Sequence, residues 1–425
     1  MNGVSFSEAL RVWLKIGCLG FGGPAGQIAL MHRILVDEKK WIDEARYLHA
    51  LNFCMLLPGP EAQKLATYAG WLLHGVRGGL AAGVLFVLPG ALVMLAFSLL
   101  YVLGRGVPVI DGALFGIKAA VLVIVVEALI RIGRRSLKSR LLIGLAALAF
   151  VGIFFLDLPF PLIVALAAII GFFTTTRQMA APPEKIPGRW RQAGIAALVG
   201  LVLWWTPVAL ALLFLGKEHV FVDIGVFFSK LAVVSFGGAY ALLAYMAQQA
   251  VETYGWMTAP EMVDGLGLAE TLPGPLIKVT QFVGFLGAYR SPDPFTPITS
   301  AVIGSALTTW VTFVPPMLLI FAGAPFVEQL RSNQRLSGAL AAITAAVVGV
   351  ILNLTIWFVL HVLFADVTEA RAGPLRWYAF DPLAIDLKVS ALALIAAALA
   401  FVLHRGLVEL VVIMAALGIA VRLLS

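Results

Sequence analysis

Four lysines stand inside apolar segments of this sequence, close to places where a helix is expected to break. Lys15 and Lys230 each lie six residues before a Phe-Gly-Gly sequence. Lys64 and Lys278 follow two Pro-Gly-Pro sequences by four and three residues. Because a charged side chain at the centre of a membrane helix costs about 2.5–3.5 kcal/mol, such residues usually serve a function. Four ammonium groups near helix breaks suit the binding of a small dianion.

The breaks have a physical cause and suggest where an anion binds. They lie at 21–24 (Phe-Gly-Gly-Pro), 58–60, 236–238 and 273–275. Proline lacks an N–H and clashes with a preceding helical carbonyl, whereas glycine lets a ligand approach the backbone. Broken helices present free N–H groups and positive dipole ends to an anion, and we expect the glycines to supply those donors. With nearby polar side chains included, the candidate substrate-binding residues are Lys15, Gly22, Gly23, Pro24, Pro58, Gly59, Pro60, Glu61, Gln63, Lys64, Lys230, Gly237, Gly238, Glu270, Pro273, Gly274, Pro275 and Lys278.

These residues also have readings that involve no substrate. Lys15 and Lys230 could extend their ammonium groups to a membrane interface. Lys64 could form a structural ion pair with Glu61, three residues away. The Gly and Pro sequences could serve helix packing alone, since both residue types are frequent in membrane helices.

The breaks belong to an internal duplication. Three matches share one offset along the chain, here called the repeat offset: Lys15 with Lys230, Trp41 with Trp256 and Pro58 with Pro273. The first two breaks therefore align with the last two without a gap. Farther on, the Gly-Ala-Leu at 112–114 aligns with the one at 338–340. Each copy holds about six segments, and one apolar segment, 193–215, lies between them. An odd connecting span predicts that the second copy is inverted relative to the first, an arrangement typical of transporters.

Composition places the whole chain in a membrane. Of 425 residues, 61% are apolar and 12% charged, with a mean hydropathy of +0.98, so too few polar groups exist to coat a soluble particle. The net charge of +7 is spread over joints between segments, which argues against nucleic-acid binding and predicts a cytoplasmic N-terminus. Cys18 and Cys54 form no CxxC pair, so neither a metal site nor a disulfide framework is expected.

We therefore predict an all-α polytopic membrane protein. It has two inverted-topology repeats of about six segments each, with broken or re-entrant helices, and one connecting transmembrane helix. The predicted domains are a first repeat at 1–176, a linker with the connecting helix at 177–222, and a second repeat at 223–425. The long, Gly- and Pro-rich segments 6–35, 45–74, 223–251 and 260–288 are the expected broken ones.

The motifs resemble those of the chromate ion transporter (CHR) family in its long, two-domain form. They are Phe-Gly-Gly-Pro at 21–24, Leu-Pro-Gly-Pro-Glu-Ala-Gln at 57–63, Phe-Gly-Gly at 236–238 and Glu-Thr-Leu-Pro-Gly-Pro-Leu-Ile at 270–277. The resemblance implies a multi-pass protein of the bacterial inner membrane that exports chromate, confers chromate resistance and is inhibited competitively by sulfate. One departure is Ala239 where the first copy has Pro24, which suggests that substrate contacts favour the first copy.

Other functions stay open at this stage. Uptake or exchange of sulfate or a related oxyanion is the main alternative. A membrane-embedded enzyme or a lipid flippase is least favoured, because HExxH, GxSxG and GxxxxGK[ST] motifs are absent. The expected partners are chromate, sulfate as a competitor and the lipid bilayer; no cofactor, metal or nucleic acid is expected, and a homodimer is left open.

Overall fold

A computed structural model shows a helical protein with one small β-hairpin. It describes residues 4–175, 189–236, 239–323, 334–364 and 366–424. The helices of the first half are α1 (Phe6–Leu19), α2 (Gly23–His32), α3 (Glu44–Leu56), α4 (Glu61–Leu103), α5 (Pro108–Ser136), α6 (Arg140–Phe154) and α7 (Phe160–Thr174). Those of the second half are α8 (Arg189–Leu215), α9 (Val220–Val233), α10 (Ala239–Gln248), α11 (Ala259–Thr271), α12 (Val279–Arg290), α13 (Pro297–Gly323), α14 (Gln334–Leu363), α15 (Leu387–Ala397) and α16 (Leu407–Leu424).

Several helices are long and apolar enough to cross a bilayer, which confirms the predicted polytopic membrane fold. Among the described residues, six qualify: α4, α5, 193–215 of α8, α13, α14 and α16. The predicted breaks are also present, since α1 ends before Gly20 and α3 ends before the Pro-Gly-Pro at 58–60.

The first predicted broken segment is a hairpin. The 14 residues of α1 extend only about 21 Å, which is less than the roughly 30 Å of hydrocarbon. After the break, α2 and a π-helical turn (Arg33–Glu38) bring the chain back, because Lys39 pairs with Glu8 at 2.7 Å. The two ends of the segment therefore lie together, with the break at the tip.

The second broken segment is also a hairpin. Helix α4 is bent at His74 and Gly75, whose φ and ψ angles are not helical, and it consists of a first arm (61–73) and a second arm (76–103). Phe53 of α3 and Tyr68 of the first arm have ring centroids 5.3 Å apart, so these two short helices pack side by side. His74 Nε2 donates to the Val4 carbonyl at 2.8 Å and thereby joins this hairpin to the start of α1.

The β-hairpin lies in the polar joint after α14, and the sequence analysis did not predict it. Strands β1 (Val367–Ala372) and β2 (Leu375–Phe380) pair antiparallel across a two-residue turn. Arg376 of β2 is buried, and its NH1 contacts Asp157 at 2.9 Å while NH2 donates to the Ile153 carbonyl at 2.8 Å. These contacts attach the hairpin to the turn between α6 and α7.

The chain forms two compact units, each with segments from both predicted repeats. Unit A comprises 1–96, 175–239 and 272–337, and unit B comprises 97–174, 240–271 and 338–425. The core of unit B includes close helix contacts such as α5 against α16, where Gly116 and Gly418 leave no room for a side chain. The predicted domain boundaries and the inverted orientation stay predictions at this point.

Candidate functional site

The breaks of the two copies pair with each other inside unit A. The N–H of Gly274 donates to the carbonyl of Gly20 at 2.9 Å, and the N–H of Gly59 donates to the carbonyl of Ser235 at 3.0 Å. The repeat offset relates Gly274 to Gly59, and it relates Ser235 to Gly20 as well. Each Pro-Gly-Pro turn therefore binds the end of the helix before the other copy's Phe-Gly-Gly, and the two bonds are equivalent under the repeat.

This pairing changes the predicted role of two glycines. The N–H groups of Gly59 and Gly274 donate hydrogen bonds to carbonyls. They therefore hold the two copies together and are not available to an anion. Both residues have positive φ angles, +105° and +91°, which favour glycine. The flanking prolines supply no N–H groups, so these turns offer an anion little backbone hydrogen bonding.

The same contacts require small residues. A Cβ added to Gly59 would lie 2.5 Å from Pro316 Cγ on α13, and one added to Gly274 would lie 3.6 Å from the Cα of Gly90 on the second arm of α4. Gly90 precedes Pro316 by the same number of residues as the Gly-Ala-Leu at 112–114 precedes the one at 338–340. Gly90 and Pro316 are therefore counterparts when the later segments of the two copies are aligned. The close approach of turn and helix thus occurs in both copies.

Gln27 ties the crossing together and was missed by the sequence analysis. Its side chain is 1% exposed, and Nε2 donates to the carbonyls of Gly20 (3.0 Å) and Gly274 (2.7 Å). The available signal was a polar residue four positions after Gly23 on an otherwise apolar helix. Its counterpart at the repeat offset is Leu242, so only the first copy has this link.

Lys64 and Lys278 are buried, each 1% exposed, and both reach backward to the end of the preceding helix. Lys64 Nζ donates to the Leu57 carbonyl, and Lys278 Nζ donates to the carbonyls of Leu272 (2.9 Å) and Gly274 (3.2 Å). Leu272 is the counterpart of Leu57 at the repeat offset, so the two lysines have equivalent roles. A cation at a helix C-terminus is favourable, and here it also places two positive charges beside the crossing.

The other pair of lysines lies elsewhere. Lys15 on α1 and Lys230 on α9 are exposed on the chain, one turn before the Gly20 and Ser235 carbonyls that accept the crossing bonds. Glu61 is half-buried in the first turn of α4. The structure thus brings Lys64 and Lys278 to the breaks as internal groups and leaves Lys15 and Lys230 at the surface of unit A.

Of the breaks that the structure describes in full, the one at 21–24 is the most exposed. Gly22 is exposed, whereas Gly23 and Pro24 are half-buried, and α2 starts at Gly23 without a side-chain cap. The first N–H groups of a helix have no partner within it, so the start of α2 can bind an anion. Pro58 and Pro60 are half-buried; the turn at 273–275 is fully buried.

Gln63 and Glu270, two further predicted site residues, have structural partners. Gln63 donates to the Phe313 carbonyl at 2.9 Å. Glu270, in unit B, accepts a hydrogen bond of 2.6 Å from Tyr240. Gly237 and Gly238 lie outside the described residues. No cluster of His, Cys, Asp or Glu that could hold a metal ion occurs in the described part of the chain.

Comparison with known proteins places the chain in a family. The family model described as "Chromate transporter" matches residues 7–172 and 222–421. The "Chromate transport protein" of Pseudomonas aeruginosa is 32% identical over 82% of this chain and 80% of its own length. The protein of the same name from Cupriavidus metallidurans is 28% identical over 81% and 80%.

A third relative is a much shorter protein that matches about one third of this chain. The "Uncharacterized transporter YwrB" of Bacillus subtilis is 29% identical over 33% of this chain and 71% of its own length, so the match takes up most of a much shorter protein. No solved structure matches the chain. The family model covers more than half of the sequence, and the helical architecture with broken helices is that of a membrane transporter; the chain belongs to the chromate transporter family.

Proposed function

We propose that this protein transports chromate out of the bacterial cytoplasm across the inner membrane and thereby confers chromate resistance. The observation that carries the proposal is the reciprocal pairing of the breaks, Gly59 with Ser235 and Gly274 with Gly20, beside two buried lysines. Interrupted helices that meet at the interface of two repeats form the substrate sites of many transporters. The names of the relatives from P. aeruginosa and C. metallidurans agree with chromate as the substrate.

The order of contacts along two helices supports an inverted orientation of the copies. On the second arm of α4, Gly79 lies beside Phe321 of α13, and Gly83 lies beside Met317. The two helices are therefore antiparallel. Since α13 is the counterpart of this arm in the second copy, an axis that exchanges the copies runs perpendicular to both helices.

The site we propose is the start of α2, next to the crossing. Its uncapped N–H groups at Gly23 and Ala25 are the donors best placed for an oxyanion, because those of Gly59 and Gly274 are engaged. Lys64 and Lys278 contribute fixed positive charge without direct hydrogen bonds to substrate. Lys15, one turn before the break, supplies a mobile ammonium at the exposed side.

Energetics favour export. A membrane potential of 100 mV, negative inside, makes the exit of a dianion favourable by about 4.6 kcal/mol of free energy, since each charge contributes about 2.3 kcal/mol. That energy sustains a concentration ratio of more than about three decades. Potential-driven export therefore needs no other energy source.

The direct test measures radiolabelled chromate efflux from proteoliposomes with the membrane potential and the pH gradient imposed separately. We expect a potential negative on the chromate-loaded side to accelerate efflux and external sulfate to compete. An absence of any potential effect would refute potential-driven export. In cells, a protein that raises chromate accumulation would instead be an importer of sulfate-like oxyanions.

The two exposed lysines provide a residue-level test. Lys15→Ala and Lys230→Ala should each lower chromate efflux while the protein stays inserted and monodisperse, because the ammonium near the break is lost. Lys388→Ala, an exposed lysine at the start of α15, is the control. Efflux at the wild-type rate in both variants would remove these lysines from the site.

A further inference from the structure

Unit B contains a second group of charged side chains that the proposed chromate site does not use. It comprises Tyr101, Arg105, Lys118, Glu261 and Asp264, here called the α11 cluster. Glu261 and Asp264 are buried on α11, the helix that continues in sequence toward the second Pro-Gly-Pro turn. Ionisable residues inside a membrane protein are costly and commonly mark ion or proton pathways.

Asp264 is the residue at the bottom of this cluster. Asp264 is only 2% exposed, and its two carboxylate oxygens have different surroundings. Oδ2 accepts a hydrogen bond of 2.9 Å from Tyr101. Oδ1 lies 3.4 Å from Lys118 Nζ on α5 and has no hydrogen-bond partner among the described residues. One oxygen of a buried carboxylate is thus left able to take a proton.

The rest of the cluster connects Asp264 to the surface of the unit. Tyr101 accepts a hydrogen bond from Arg105, whose side chain is 53% exposed. Arg105 also pairs with Glu261 at 3.2 Å. Glu261 accepts two further hydrogen bonds from Thr258, from its backbone N–H at 2.8 Å and its hydroxyl at 3.0 Å. Glu261 is therefore a bound cap of α11, whereas Arg105 and Tyr101 form a polar route inward.

Other charges near α11 are accounted for by other contacts. Helices α5 and α16 pack against α11. Of the charged residues on α16, Glu409 pairs with Arg405 at 2.8 Å, and Arg422 is exposed in the last turn. Farther along α11 itself, Glu270 is bound to Tyr240. Lys118 is therefore the cation that faces Asp264 from a packed helix.

Another buried ionic group in unit B shows how a structural pair differs. Arg376 contacts Asp157 at 2.9 Å and also donates to a backbone carbonyl at 2.8 Å, so its guanidinium is held by short bonds in several directions. The Asp264–Lys118 contact is longer and lacks a hydrogen bond. It can therefore open when either partner changes charge.

We propose that Asp264 binds a proton that is coupled to chromate transport, with Lys118 as its counter-ion when the proton is absent. A hydronium ion transfers its proton to the free carboxylate oxygen and leaves as water; release on the other side reverses this step. The neutral acid no longer balances Lys118, so proton binding changes the electrostatics between α5 and α11. This inference rests on the proposed function and adds a proton, moved inward, to chromate moved outward.

The test compares equilibrium chromate ratios in proteoliposomes whose potential is held at zero with valinomycin and equal potassium. For the wild-type protein, one coupled proton and a gradient of one pH unit should change the chromate ratio by about tenfold. In Asp264→Asn the ratio should not respond to the gradient, while chromate–chromate exchange continues. Glu409→Gln, a carboxylate of the same unit that is paired at the surface, should respond like the wild type.

A second variant guards against a purely structural effect. Lys118→Met removes the counter-ion but leaves the proton site, so coupling should persist and the midpoint of the pH profile of exchange should move to higher pH. A chromate ratio in Asp264→Asn that still follows the pH gradient would overturn the proposal. The proposal would also be overturned if the wild-type protein exchanged chromate but its chromate ratio did not follow the pH gradient. That result would leave the proposed function intact. Absence of exchange in the wild type would refute the proposed function as well.

Discussion

Gly59 offers the sharpest test of the pairing between the two copies. It combines a positive φ angle of +105° with close contact to Pro316, whose Cγ and Cβ would lie 2.5 and 2.8 Å from a new Cβ. Pro316 is buried in the middle of α13, so its ring cannot retreat without displacing the helix. We therefore expect Gly59→Ala to separate the turn from α13 and to weaken its bond to Ser235.

The size of the effect follows from two contributions. A left-handed backbone angle costs a residue with a Cβ about 1–2 kcal/mol. Insertion of a methyl group into a tightly packed contact costs about 1–3 kcal/mol more. Gly59→Ala should thus lower the free energy of unfolding by about 2–5 kcal/mol.

A matched control separates the two contributions. Gly106 has a similar φ angle of +88°, but an added Cβ there meets no atom within 4 Å. Gly106→Ala should therefore cost only the backbone contribution of about 1–2 kcal/mol. Both variants can be unfolded in detergent and followed by tryptophan fluorescence, with chromate efflux measured in parallel. Equal destabilisation, or normal efflux in Gly59→Ala, would show that the close approach of turn and helix is unimportant.

Two further predictions concern unit A. Gln27→Leu, which introduces the residue of the second copy, should lower the free energy of unfolding by about 1–3 kcal/mol because Gly20 and Gly274 each lose a buried hydrogen bond; an unchanged stability would show that this link is dispensable. A hydrogen bond that His32 donates to the Glu44 carboxylate raises the pKa of His32, so this pair stabilises the fold below the ordinary histidine pKa and the contribution disappears as pH rises through the raised value. Unfolding measured from pH 6 to pH 9 should show a difference between wild type and Glu44→Gln that shrinks with pH, and a constant difference would contradict it.

The duplication and the breaks could be predicted from the sequence because both are local patterns. Pro-Gly-Pro cannot continue a helix, and a constant offset between matching motifs appears without any knowledge of contacts. The partners of the breaks could not be predicted in this way. That Gly274 binds Gly20 depends on how hairpins from distant parts of the chain pack, and the repeat implies only that the equivalent bond between Gly59 and Ser235 should accompany it.

Two other features were missed by the sequence analysis for different reasons. The β-hairpin at 367–380 contains β-forming residues on either side of Gly-Pro at 373–374, a pattern that the sequence analysis did not take up because it stands in a joint of mixed charge. Lys118 has no charged neighbour in the adjoining turns of α5, and the sequence analysis gave it no role. Its relation to Asp264 exists only after α5 and α11 pack, so spacing along either helix could not reveal it.

The differences between the copies bear on where substrate binds. If both copies contributed equally, the residues around their breaks should match, and the glycines that donate the crossing bonds, Gly59 and Gly274, do match. Among the positions that differ are Pro24, which aligns with Ala239, and Gln27, which aligns with Leu242. Both differences lie at the start of α2, where Gly22 of the break is exposed. Symmetric contacts therefore serve assembly of the crossing, and the asymmetric start of α2 is where we propose that the oxyanion binds.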